Sequence, residues 1–85
     1  MTIPFYEALQ DAIERADYHI MPDGRTTVCL LTLDNGVTVS GVSVCEDIAR
    51  FDRVTGEQCA REDAERHVAP LIAFRRADAR MRGEA

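Results

Sequence analysis

Eighty-five residues with a formal net charge of −5 bound the problem to one small acidic domain. All ten basic residues other than histidine are arginine, set against fifteen acids, and hydrophobic residues make up 46% of the chain, which excludes a disordered tail. No apolar run nears the roughly 18 residues a membrane helix needs, and the first residues lack the basic and apolar regions of a secretory signal.

Residues 3–17 predict an amphipathic helix. Tyr6, Leu9, Ile13 and Ala16 recur at three- and four-residue steps and share one face. Glu7, Asp11 and Glu14 form an acidic stripe on the far side. Thr2 can cap the start, and Pro4 stands where a missing N–H does no harm. The pattern decays at 18–20, and Met21-Pro22-Asp23-Gly24 reads as a turn.

Residues 26–45 are the most informative. Two β-branched, apolar runs flank Asp34-Asn35-Gly36, a strong hairpin signal. A two-residue turn would put Leu33, Leu31 and Cys29 on one face with Thr38 and Ser40. A three-residue loop with Gly36 left-handed instead pairs Leu33 with Val37, Leu31 with Val39 and Cys29 with Gly41. That register makes one face apolar, so it is the one expected. The other face is polar near the turn and apolar at the base, where Val28, Val42 and Val44 gather. A lone hairpin is not stable, and this second face calls for cover by a helix or by another copy of the chain.

After a connector with one helical turn and Phe51 as its anchor, Asp52 reads as the cap of a second helix through Arg66. Its expected inner line is Ala60, Ala64, His67, Val68 and Leu71, with Glu62, Asp63, Glu65 and Arg66 outward and an Arg61–Glu65 pair one turn apart. Pro70 predicts a kink or break at 68–69. Helix resumes at 71–74 and frays near Met81, within a basic tail of about 75–85. Arg75, Arg76, Arg80 and Arg82 leave that tail at +2 and the remainder at −7. The expectation is thus a single α+β domain spanning 1–85: N-terminal helix, β-hairpin, C-terminal kinked helix.

The hairpin string Val28 through Gly41, Ser43-Val44-Cys45, Phe51-Asp52, Gly56, Ala60-Arg61-Glu62-Asp63-Ala64 and Pro70-Leu71, with Ile13 and Tyr18-His19 upstream, resembles a family of small tailed-phage and prophage proteins. Its founding members are short reading frames of the enterobacterial phages Sf6 and N4. The resemblance covers roughly 13–74. It implies a phage or prophage accessory gene expressed in a bacterial host cytoplasm, and it carries over no catalytic residue.

The residues themselves supply little chemistry. The three cysteines, Cys29, Cys45 and Cys59, are odd in number and form no C-x-x-C pair. That speaks against a disulfide framework and for a reducing compartment. Together with His19 and His67 they lack the short knuckle spacing of a structural zinc site, so no metal or cofactor is expected. Cys59 has no base fixed beside it by spacing, and no nucleophile–base–orienter set is visible, so an enzyme is not expected. Net negative charge disfavours direct nucleic-acid binding, whose affinity comes from lysine and arginine on phosphates.

An acidic body suits the basic groove of a protein that handles nucleic acid. The leading expectation is a non-enzymatic anti-defence inhibitor, such as an anti-CRISPR, binding a host protein or ribonucleoprotein complex through Glu7, Asp11 and Glu14. Glu62, Asp63, Glu65, His19, Arg75 and Arg76 are secondary candidates. The alternatives are an oligomeric sponge for a nucleotide signal, with Arg75, Arg76 and Arg25 on the phosphates, and a small enzyme. Homo-oligomerisation is expected from the uncovered hairpin face.

Overall fold

The computed structural model describes residues 3–83. In chain order it consists of helix α1 (Phe5–Ala12), strands β1 (Ile13–Ile20), β2 (Thr26–Leu33) and β3 (Thr38–Val44), a 3₁₀ turn at Ile48–Arg50, and a long helix α2 (Arg53–Met81). The strands form an antiparallel meander in the order β1-β2-β3. The α+β class and the single small domain are as the sequence predicts, with one strand more.

The extra strand is a correction to the first helix. Helix stops at Ala12, and 13–17 belong to β1, which pairs along the whole of β2. The spacing of Ile13 and Ala16 satisfies a helix, but a bulge at Glu14 explains it in a strand. Register shifts there between Ile13 opposite Leu33 and Arg15 opposite Thr32, and past the bulge the buried side alternates Ala16, Tyr18, Ile20. Ladder hydrogen bonds to β2 win over five more residues of isolated helix, which are marginal in water. A further correction follows. Tyr6 is 66% exposed and Ala12, with Leu9, faces the core instead. Pro4 stands at the helix cap itself, its carbonyl accepting from Ala8. The proposed cap Thr2 lies outside the described residues.

The hairpin is as predicted. Leu31 faces Val39 and Cys29 faces Gly41. Leu33 N–H donates to the Val37 carbonyl, and Gly36 holds φ +87°, the left-handed position the three-residue loop demands. Thr27, Cys29, Leu31 and Leu33 are buried on the inner face with Ala60, Ala64, Val68 and Ile72 of α2. Both helices lie on that face. The outer face stays open, with Leu30 37%, Val42 47% and Val44 59% exposed.

Helix α2 begins as predicted, Asp52 accepting from the Thr55 N–H and hydroxyl. It is not broken at Pro70, which lies inside one continuous helix. Pro70 is exposed, so the carbonyl left without its N–H partner has water to bind. Helix runs on through most of the basic stretch and ends at Met81, near where fraying is expected. The inner line is Ala60, Ala64, Val68 and Ile72, an exact i,i+4 row; His67 and Leu71 lie outside it, exposed. Small residues in that row let α2 press its backbone onto Gly41 of β3. An added Cβ there would overlap the Ala64 N and Ala60 O, and would sit 2.7 Å from the Ala64 Cα.

Candidate functional site

In an antiparallel ladder, residues alternate between bonding the partner strand and facing away from it. Cys45 donates to Arg25 O across β3 and β2, so the main-chain groups of Ser40 and Val42 face outward on the β3 edge. α2 covers that edge with side chains. The Val42 N–H donates to Asp63 Oδ2 at 2.9 Å, and His67 Nδ1 lies 3.0 Å from the Ser40 carbonyl. The carbonyl can only accept, so His67 carries its proton on Nδ1. Arg66 completes the group on Asp63 at 3.0 Å. Asp63 is therefore not a free acidic side chain, as the sequence suggests, but part of a sheet-edge cap.

A second polar group ties α1 to α2. Arg61 donates from Nε to Glu65 Oε2 (2.9 Å) and from Nη2 to Gln10 Oε1 (2.8 Å), while Gln10 Nε2 donates to Glu65 Oε2 (2.7 Å). Tyr18 of β1 lies near enough to Arg61 to favour its charged form. The Arg61–Glu65 pair is as predicted, but Glu65 is mostly buried instead of outward. Sequence spacing gives no sign of Gln10 or Tyr18, because they meet the pair only through the tertiary fold.

The other candidates are dispersed. Glu7 and Asp11 lie exposed one turn apart on α1, but Glu14 belongs to the β1 bulge, so the three do not form one helical stripe. Glu62 is exposed on α2. His19 sits on the open outer face, opposite Val28. Arg75 is held in a two-pronged pair by Asp34 at the hairpin tip (3.0 and 3.2 Å). Arg76 lies over the Phe5 ring, 5.9 Å from its centroid. Of the three arginines expected on the phosphates of a nucleotide signal, Arg75 is thus engaged by Asp34 and Arg76 lies against Phe5, while Arg25 lines a groove at the sheet base.

At the sheet base a groove of about 280 Å³ is lined by Arg25, Arg50, Phe51 and Asp52, with Cys45 and Cys59 on its wall. Cys29 lies elsewhere, fully buried, and burial pushes its thiol pKa up, which makes it a poor nucleophile. Among the described residues no three His, Cys, Asp or Glu side chains gather where a metal ion could be held. No helix of the described residues is long and apolar enough to cross a membrane.

Three carboxyls titrate below their ordinary range. The Thr26 hydroxyl and Arg25 N–H lower Asp23, the Thr55 hydroxyl lowers Asp52, and the Val42 N–H with Arg66 lowers Asp63. A depressed folded-state pKa gives stability that is present above the unfolded value and lost as pH falls through the folded one. Thermal melts should therefore be level from about pH 7 to 5 and fall below about pH 4. The Asp63→Asn variant should show a shallower fall, since it removes one of the three.

No curated protein and no solved structure matches this chain. The phage protein family described by gp49 of phage N4 and gene 66 of phage Sf6 matches over residues 6–79, from the first turn of α1 almost to the end of α2. On that match across nearly the whole fold, the chain belongs to the N4 Gp49/Sf6 gene 66 family of phage proteins.

Proposed function

We propose that this phage protein is non-enzymatic and works by binding. Its partner is a host nucleic-acid-handling complex in the bacterial cytoplasm, which it inhibits as an anti-defence protein of the anti-CRISPR kind would. The carrying observation is where the charge is left over. Among the described residues, seven of the ten arginines sit in ion pairs with acids of this chain, including Arg61–Glu65, Arg66–Asp63 and Arg75–Asp34. Glu7, Asp11 and Glu14 are exposed, and no arginine among the described residues pairs with them. The unneutralised charge near the N-terminus thus suits a basic protein groove.

The test is capture of complexes by tagged protein from host lysate, followed by native mass spectrometry. The wild type should bring down a stoichiometric nucleic-acid-handling complex. The combined variant Glu7→Arg, Asp11→Arg, Glu14→Arg should lose it while keeping its circular dichroism spectrum. Undiminished capture by that variant would show that the acids near the N-terminus are not the contact. A ligand-bearing oligomer with no protein partner would favour the nucleotide sponge.

A further inference from the structure

The two edges of the sheet are treated differently. α2 occupies the β3 edge, with Asp63 and His67 on its outward N–H and C=O groups. The β1 edge has no such cover. Met21 N–H donates to Thr26 O, so by alternation His19, Asp17 and Arg15 bond β2, and Ala16, Tyr18 and Ile20 turn their main-chain groups outward. Among the described residues nothing caps these groups. An eight-residue edge strand with open main-chain groups is a template for another strand.

We infer that this edge pairs with β1 of a second copy, antiparallel about a two-fold axis at Tyr18, giving one continuous six-stranded sheet. The charges on β1 choose the register. An axis at Asp17 would oppose Asp17 to itself, which is destabilising. An axis at Ala16 would oppose Arg15 to Asp17 favourably, but would draw the Glu14 bulge and the last turn of α1 into the ladder. An axis at Tyr18 uses only residues 15–21. It sets Ala16 against Ile20 on the inner face and Asp17 against His19 of the other copy on the outer face, twice by symmetry. Such an interface is self-complementary, as a two-fold contact must be. It keeps each α1 at an opposite end, clear of its counterpart.

Light scattering on the purified protein should give twice the 9.5 kDa chain mass. In amide exchange by NMR, the Ala16, Tyr18 and Ile20 amides should be protected as strongly as those bonded within the sheet. Ala16→Pro removes an outward N–H at an edge position that tolerates proline, and should shift the mass to that of one chain with the circular dichroism unchanged. His19→Asp should weaken the dimer at least tenfold by opposing two acids, and adding Asp17→Lys should restore it. A monomeric wild type with fast-exchanging Ala16, Tyr18 and Ile20 amides would overturn the inference. So would a dimer indifferent to both Ala16→Pro and His19→Asp, which would point to the open outer face as the contact.

Discussion

Gly41→Ala should lower the stability of this domain by about 3 kcal/mol, although it adds a single methyl group. For a chain of this length that corresponds to a fall in Tm of about 12–24 °C. The new carbon would enter the space held by the Ala60 carbonyl oxygen and the Ala64 amide. Those are backbone atoms of a helix, so no side chain can rotate aside. Either α2 lifts off β3 or β3 moves from under it. Lifting α2 would also stretch the Asp63 and His67 contacts to Val42 and Ser40. Thermal and urea unfolding of the variant check this. A loss under about 1 kcal/mol would mean that α2 slides along β3 at little cost.

The second large effect separates two neighbouring leucines. Leu31 is fully buried between the sheet and α2, whereas Leu30 points to the open face. Leu31→Ala should cost about 3 kcal/mol, from the lost transfer energy and the cavity left in the core cluster. Leu30→Ala should cost under about 1 kcal/mol in the isolated chain. The difference is the energetic form of the hairpin register. A one-residue slip would exchange the two leucines, and the two variants would exchange their costs. Urea midpoints at equal m-values give the comparison directly.

The hairpin was legible because its constraints are local: a turn glycine, alternating side chains and one apolar face per register. The Asp52 cap and the 3₁₀ turn after β3 were legible for the same reason. β1 was not, because Ile13 and Ala16 lie three apart, a spacing shared by a helix face and by a strand that contains a bulge. Only the ladder to β2 distinguishes them, and that ladder is a tertiary fact. Pro70 was expected to kink or break α2, and the break does not occur. The rule that proline breaks helices weighs one lost hydrogen bond and a clash, whereas α2 has Ala64, Val68 and Ile72 anchored on both sides of the site.

The acidic side chains show the same limit. Glu7, Asp11 and Glu14 were found as exposed acids, but their common helical face was not real. Asp63 and Glu65 are acids like the exposed Glu62, yet they are committed inside the fold. A carboxylate in a sequence gives no sign whether an edge-strand amide or a distant glutamine will claim it. The membership in a phage family, by contrast, was carried by contiguous strings that survive any error in secondary structure.

Helix α1 has eight residues and runs into β1 without a single linking residue. A helix that short cannot hold its shape alone in water. Its order is borrowed from Leu9 and Ala12 in the core, from Gln10 between Arg61 and Glu65, and from the Asp34 amide on the Ala12 carbonyl. Such an element opens at a smaller free energy than the sheet it covers. The acids Glu7 and Asp11 therefore ride on an element whose order depends on its tertiary contacts. Under the function proposed above, the acidic contact would thus sit on a locally opening element and not on the sheet.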